Sequence, residues 1–142
     1  ESVFITKYLD SPNQPLFPFG YGLSYTTFEY SEIQMEDKQL TRDGKLNVSV
    51  KVKNTGKYKG TETVQLYIRD LVASVTRPVK ELKSFRKVEL KPGEEKKVEF
   101  VITEKDLRFW NDKKQFISEP GKFHLFIGTD SENVKKAEFV LL

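Results

Sequence analysis

The segment Lys45–Val52, KLNVSVKV, decides the fold class because its apolar and polar residues alternate strictly. Its apolar residues occupy every second position, at Leu46, Val48, Val50 and Val52. Successive side chains of a β-strand point to opposite faces of the sheet. The segment is therefore predicted to be a strand that is buried on one face.

The same alternation recurs on both sides of this segment, between turn signals such as KPGE at residues 91–94. TFEYSEIQM near the start and KKAEFVLL at the end supply further strands. The residues expected to face the core are Val64, Leu66, Ile68, Val98, Phe100, Ile102, Phe123, Leu125 and Ile127. About seven short strands with almost no helix predict an all-β protein, an antiparallel β-sandwich.

Two segments depart from the alternation. In KELKSFRKVEL, Leu82 and Phe85 are out of phase with each other, and a β-bulge between them would reconcile the pattern. In TEKDLRFW, Thr103 is followed three residues later by Asp106, which resembles a capping arrangement for a short helical turn. That turn is expected to bring Leu107 and Trp110 onto the core.

The first 25 residues differ in composition from the rest of the chain. The stretch PLFPFGYGLSYTTF contains prolines and glycines, which disfavour both a helix and a central strand. It also carries large aromatic side chains that need a partner surface, at Phe17, Phe19, Tyr21 and Tyr25. We therefore divide the chain into an irregular, extended N-terminal ribbon (residues 1–25) and a sandwich (residues 26–142).

Composition limits the function classes. The chain has 142 residues, enough for one domain, and no cysteine, which excludes disulfides and thiolate metal sites. Its net charge is +3, and the lysines are interspersed with glutamates, which disfavours a nucleic-acid partner. No apolar run is long enough to span a membrane. The chain begins without an initiator Met, so we interpret it as a processed product or an excised fragment.

Catalytic and metal-binding arrangements find little support in the sequence. His124 is the only histidine, and we expect it at the surface or at a sheet edge rather than in a metal site. The carboxylates Glu62, Glu99 and Glu138 occupy strand positions that we assign to solvent, so no acid–base pair is expected. The turn beginning at Asp130 allows a weak calcium site, but a plain loop is the better interpretation.

Three segments together resemble a known family: PLFPFGYGLSYTTFEYS, then residues 64–100, VQLYIRDLVASVTRPVKELKSFRKVELKPGEEKKVEF, and then DLRFW. They are similar to the C-terminal fibronectin type III-like domain of glycoside hydrolase family 3 enzymes, which include β-glucosidases and β-xylosidases. The resemblance covers almost the whole chain. It implies an immunoglobulin-like, fibronectin type III-like sandwich.

The resemblance also implies a role. In that family this domain follows a barrel domain and an α/β domain, which carry the catalytic residues, so no catalytic residue, cofactor or metal ligand is transferred to this chain. The expected function is a non-catalytic accessory domain of a parent glycosidase located in the periplasm or outside the cell. Its expected partners are those two domains, packed against Phe17, Phe19, Tyr21 and Tyr25, and the parent's oligosaccharide or polysaccharide substrate.

The loop RDLVASVTRPVKEL (residues 69–82) is long for a sandwich connection and mixes charged with apolar residues. It either forms a docking surface or folds back on its own sandwich. In the parent enzyme, Arg77 is the residue of this loop that we expect near the substrate.

Two other functions remain open. One is a carbohydrate-binding module, which would stack sugars on exposed aromatic side chains; Trp110, Tyr58 and Tyr67 are the candidates, although Trp110 is expected in the core. The other is a cell-surface adhesion domain, which usually occurs in tandem copies, whereas this sequence contains one.

Overall fold

Two β-sheets form the body of the protein in its computed structural model, which describes residues 26–71 and 80–142 and the backbone of residues 4–7. A single 3₁₀ turn, Glu104–Leu107, interrupts the strands of this described part. Within the described ranges, the structure contains no helix of the length and hydrophobicity that a membrane-spanning helix requires. The strands are β1 (Phe4–Lys7), β2 (Thr27–Tyr30), β3 (Gln34–Met35), β4 (Gln39–Leu40), β5 (Leu46–Asn54), β6 (Gly60–Asp70), β7 (Glu81–Leu90), β8 (Glu95–Ile102), β9 (Phe109–Trp110), β10 (Phe116–Ile117), β11 (Gly121–Gly128) and β12 (Val134–Leu141).

The sheets have different strand orders. In the first sheet β1 pairs with β2 and β2 with β5, while β3 and β8 also pair with β5. The second sheet has the order β4-β12-β11-β6-β7. All these pairs are antiparallel except β12 with β4, which run parallel. A separate two-stranded hairpin is formed by β9 and β10.

The core lies between the two sheets and is built from the alternating residues. Every residue that the alternation assigns to the core is buried. Other buried apolar residues complete the cluster: Phe28, Tyr30, Leu40, Leu90, Leu107, Phe139 and Leu141. The prediction of an all-β sandwich is therefore confirmed.

The bulge predicted in β7 is present. The pairing of β6 with β7 shifts register at Leu66 and Tyr67, so that Tyr67 lies opposite Leu82 whereas Gln65 lies opposite Phe85. The shift brings both apolar residues of β7 to the same side of the sheet. That side faces away from the core, and Leu82 and Phe85 are 51% and 55% exposed.

The capped turn is also present, but one of its two expected core residues is not in the core. Asp106 accepts a hydrogen bond from the backbone N–H of Thr103 at 2.9 Å, and Leu107 is buried. Trp110 is 66% exposed, so its assignment to the core is wrong. The helical turn ends at Leu107, and Arg108 already has extended backbone angles, so Leu107 and Trp110 do not share a helix face.

The assignment of Glu62 to solvent is wrong as well. Glu62 lies on β6 in phase with the core residues Val64 and Leu66 and is 1% exposed. Its carboxylate accepts hydrogen bonds from the hydroxyls of Tyr30 and Thr129, both at 2.7 Å. A carboxylate is tolerated in this position because polar partners from the first sheet and from a loop meet it there.

Candidate functional site

Several predicted site residues lie outside the described residues. These are Arg77 and the ribbon aromatics Phe17, Phe19, Tyr21 and Tyr25. The described structure does fix where the loop that contains Arg77 begins and ends. On the β6 side, the N–H of Leu71 donates to the carbonyl of Lys122 on β11 at 3.1 Å. On the β7 side, the Lys80 ammonium lies over the ring of Phe126, which is also on β11. Both ends of the loop are therefore held at β11.

The outer face of the second sheet carries a row of apolar side chains. Phe126 on β11 lies opposite Tyr67 on β6, and Tyr67 lies opposite Leu82 on β7. Phe85 is the next outward residue of β7 beyond the bulge. We call Phe126, Tyr67, Leu82 and Phe85 the outer stripe. Phe126 is only 4% exposed beneath Lys80 and Arg69, whereas Leu82 and Phe85 are about half exposed. Solvent-facing sheet surfaces are normally polar, so the β7 end of the stripe is a candidate interaction surface.

Cationic groups surround the Phe126 end of the outer stripe. The Lys80 ammonium lies 4.6 Å from the centroid of the Phe126 ring, and the Arg69 guanidinium lies 5.3 Å from it. His124 meets the same ring edge-on, with a centroid separation of 5.9 Å. Within the described part of the chain, the buried Nε of Arg69 has no hydrogen-bond partner. This end of the stripe therefore suits a partner that carries an acidic or carbonyl group.

His124 lies on the outer face, as the sequence indicates, but in a central strand rather than at a sheet edge. Burial lowers the pKa of His124 below its usual value, and the nearby charges of Lys136 and Arg69 lower it further. Glu138 acts in the opposite direction but does not outweigh them. The ring is therefore mainly neutral at pH 7, and the positive charge of this region comes from Lys80, Arg69 and Lys136.

A second surface is the hairpin of β9 and β10. Trp110 lies opposite Phe116, and their ring centroids are 5.1 Å apart with the planes inclined by 40°. Both side chains project into solvent, with Phe116 49% exposed. We call this pair the aromatic hairpin. Its turn is held by Asn111, whose Oδ1 accepts from the backbone N–H groups of Lys113 and Gln115, both at 2.9 Å.

The base of the aromatic hairpin is held by a partly buried ion pair. The Glu104 carboxylate accepts hydrogen bonds from the Arg108 guanidinium, at 2.8–3.2 Å, and from the hydroxyl of Ser118, while Arg42 lies 3.8 Å away. The hydrogen bonds from Arg108 and Ser118 lower the pKa of Glu104 to about 2. Arg108 precedes β9 and Ser118 follows β10, so Glu104 joins the two ends of the hairpin.

The ion pair predicts an acid-sensitive contribution to stability. Since the folded-state pKa of Glu104 lies below its usual value, the unfolded chain binds the proton more readily, and the stabilisation is complete only above about pH 4.5. It is lost as the pH falls towards 2. We expect Glu104→Gln to flatten the fall in unfolding free energy over this range, as measured by urea titrations at several pH values. If the unfolding free energy of the variant fell with pH as steeply as that of the wild-type chain, this assignment would be contradicted.

The structure also places the remaining candidates for sugar stacking and for metal binding. Tyr58 is exposed, as expected, in the turn between β5 and β6, whereas Tyr67 belongs to the outer stripe. Asp130 caps its own turn: its Oδ1 accepts from the N–H groups of Glu132 and Asn133 at 2.8 and 2.9 Å, which agrees with a plain loop. Among the described residues no group of three or more His, Cys, Asp or Glu side chains is arranged to hold a metal ion.

Two exposed carboxylates of the described structure line one depression. An open depression of about 420 Å³ on the outer face of the first sheet includes Glu36 and Glu99 in its lining. Glu36 accepts a hydrogen bond from the Asn47 amide, and Glu99 pairs with Lys97 at 3.2 Å. Each carboxylate is engaged by its own neighbour on an open surface, so the depression presents solvated charges rather than two carboxyl groups facing each other in a cleft.

Comparison with known proteins identifies the domain. A family model described as "Fibronectin type III-like domain" matches residues 62–131. The periplasmic β-glucosidase of Salmonella typhimurium is 50% identical over 98% of this chain, which corresponds to 18% of that protein. This chain is a fibronectin type III-like domain of glycoside hydrolase family 3. A β-glucosidase of Bacteroides ovatus is 55% identical over 86% of the chain and 16% of its own length.

Solved structures agree with this assignment. The β-glucosidase of Listeria innocua in complex with isofagomine superposes with a TM-score of 0.77 and is 44% identical over 94% of this chain. The matched region is 19% of that protein. The chain thus spans less than a fifth of the length of the relatives named here. It corresponds to their small fibronectin type III-like domain.

Sequence reasoning missed most of the outer stripe. Phe126 was passed over because it occupies a strand position out of phase with the core, and Tyr67 was considered only as a residue that could stack on a sugar. The usable signal was present: two aromatic residues and the out-of-phase pair Leu82 and Phe85 all fall at outward positions of three strands. Without the register of β6 against β7 and β11, nothing indicated that they adjoin.

Proposed function

We propose that this chain is a non-catalytic accessory domain of a longer family 3 glycosidase that hydrolyses terminal β-linked sugars. The proposal is supported by relatives named β-glucosidase and β-xylosidase, in which the matched region is only 16–19% of the protein. Its role is to stabilise and frame the catalytic part. The name of the Salmonella relative supports a location in the periplasm or outside the cell.

The observation that carries this proposal is the outer stripe. It leaves Leu82 and Phe85 about half exposed on an edge strand, where apolar side chains favour contact with another surface. The occupant we propose is the catalytic part of the same protein, because more than four-fifths of each relative lies outside the matched region. The cations around Phe126 extend this contact to acidic or carbonyl groups of that part.

The loop that contains Arg77 fits the same arrangement. Both of its ends are held at β11, which carries Phe126, so a partner on the outer stripe would lie next to the two ends of this loop. The proximity of Arg77 to the substrate stays a prediction. So do the ribbon boundary at residue 25 and the packing of Phe17, Phe19, Tyr21 and Tyr25 against the catalytic domains.

The docking role is tested by Leu82→Asp combined with Phe85→Asp. In the 142-residue chain alone we expect the unfolding free energy to change by no more than about 1 kcal/mol, because both side chains are already exposed. In the longer protein that carries this chain we expect heat inactivation to become at least about tenfold faster, because two carboxylates would then be buried in the interface. Residual activity on a chromogenic β-glucoside after timed heating measures this.

The matched control is Val101→Asp, which places one carboxylate at an exposed apolar position on the other sheet. The outer stripe would not be the docking surface if heat inactivation were accelerated equally in both variants, or in neither of them. The same assay tests whether the domain is non-catalytic. The 142-residue chain alone should be inactive, whereas the longer protein should hydrolyse the β-glucoside.

A further inference from the structure

The aromatic hairpin leaves the chain's only tryptophan in solvent. An indole ring exposed to 66% loses the apolar contacts that a large aromatic side chain ordinarily gains on folding. Leu107 belongs to the core cluster of the described residues, whereas Trp110 does not. The hairpin therefore presents the indole ring of Trp110 to solvent, where it is available to a ligand.

Trp110 and Phe116 form a shallow, open angle rather than a flat patch. Their rings lie on one face of the hairpin and are inclined by 40°, whereas Phe109 and Ile117 form the pair on the opposite face. A β-linked pyranose has a face of axial C–H groups and a rim of equatorial hydroxyls. The C–H face stacks on the negatively charged face of an aromatic ring, and the two inclined rings fit adjacent sugar units that are rotated against each other.

The surroundings of the hairpin match the hydroxyl rim of a sugar. The turn between β9 and β10 reads NDKKQ, so the hairpin that carries the two rings also carries one carboxylate and two ammonium groups, while its two amides are joined to each other at 3.0 Å. These groups donate to and accept from hydroxyls without requiring a charged ligand. A protein partner fits less well, because stable protein interfaces bury about 800 Å² on each side and the hairpin offers only two rings.

The hairpin is also held in place before any ligand arrives. Glu104 binds Arg108 at its start and Ser118 at its end, while Asn111 fixes the turn between them. A binding surface that is already ordered loses little conformational entropy on association. This distinguishes the aromatic hairpin from Tyr58, which is exposed in a turn and has no ring contact with another described residue.

We propose that the aromatic hairpin is a carbohydrate-binding site that takes β-linked gluco- or xylo-oligosaccharides, with Trp110 and Phe116 as the stacking platform. The choice of β-linked sugars rests on the proposed function, in which the longer protein hydrolyses them. The site shares no residue or sheet with the outer stripe, so it would hold a substrate chain on the domain while the outer stripe contacts the catalytic part.

The single tryptophan makes the test direct. Cellopentaose and xylopentaose are titrated separately into the 142-residue chain to about 5 mM, and the emission of Trp110 and the heat of binding are recorded. We expect a saturable change in emission with at least one of the sugars. Trp110→Ala, followed by calorimetry, should weaken binding at least about tenfold, and Trp110→Phe should restore most of it. Phe116→Ala keeps the reporter and should weaken binding several-fold.

Tyr58→Ala is the matched control, since it removes another exposed aromatic side chain and should leave binding unchanged. No change in emission and no heat with either sugar would overturn the proposal. So would equal losses from Tyr58→Ala and Trp110→Ala. Because the 142-residue chain contains no catalytic part, these outcomes are independent of the docking assay, and either proposal can fail without the other.

Discussion

Replacing Asn54 with alanine is expected to lower the free energy of unfolding by about 3–4 kcal/mol, the largest effect of any single polar substitution in the described structure. Asn54 ends β5 and is fully buried. Its Oδ1 accepts from the Thr26 hydroxyl at 2.6 Å and from the N–H of Gly56 at 2.9 Å. Its Nδ2 donates to the carbonyls of Tyr58 and Leu90 at 2.8 and 2.9 Å.

The expected effect is large because the substitution removes four buried or partly buried hydrogen bonds at once. Leu90 lies 36 residues away at the end of β7, so the amide links the two sheets as well as its own turn. Gly56 allows this close approach, since a Cβ at that position would lie 2.2 Å from the Thr26 hydroxyl oxygen. The partners are therefore held too tightly to find replacements by a small shift.

Urea titrations followed by circular dichroism measure the change. Asn54→Asp keeps the volume and both acceptor bonds but turns an oxygen towards two carbonyls, so we expect a loss close to that of alanine. Asn47→Ala, on the same strand but exposed, should change the unfolding free energy by less than about 1 kcal/mol. If Asn54→Asp were as stable as the original chain, the two donor bonds would not be the source of stability.

Replacing Glu62 with alanine is expected to destabilise the chain by about 2–4 kcal/mol. The substitution removes the acceptor of the buried Tyr30 hydroxyl and of Thr129, and it opens a void between the sheets. Glu62→Gln retains an acceptor oxygen and nearly the same volume, so its loss should be no more than about half as large. The measurement is again the unfolding free energy in urea.

Two further variants test this explanation of Glu62. Glu99→Ala removes the same side chain from an exposed strand position and should have almost no effect. Tyr30→Phe removes one donor, so combining it with Glu62→Ala should produce less than the sum of the separate losses. Strict additivity would mean that the Tyr30 hydrogen bond does not contribute.

The alternation of apolar and polar residues was enough to predict most of the strands and the residues that face the core. KLNVSVKV and the strands around it were predicted correctly because a half-buried strand shows its two faces in the sequence. Glu62 was assigned to solvent because it is charged, although its position in the alternation of β6 is that of a core residue. Its partners Tyr30 and Thr129 lie 32 and 67 residues away, where a local pattern does not reach. Trp110 was misassigned because a helix face was extended past Leu107, where the helical turn stops.

The candidate sites depend even more on long-range register. Leu82 and Phe85 were noticed as a disturbed pattern, but only the pairing of β7 with β6, and of β6 with β11, places them in line with Tyr67 and Phe126. The aromatic hairpin likewise requires Trp110 and Phe116 to pair across a turn. Periodicity reveals which face of a strand a residue occupies, whereas neighbours on that face are set by tertiary structure.

The position of β12 has a consequence for how the domain is made on the ribosome. β12 lies inside the second sheet, between β4 and β11, and supplies Phe139 and Leu141 to the core. During synthesis, β4 has no strand to join and β11 keeps one open side until Val134–Leu141 has left the exit tunnel. The nascent sandwich therefore cannot close early, and its unpaired strands stay exposed to chaperones and to neighbouring chains until translation has passed this segment.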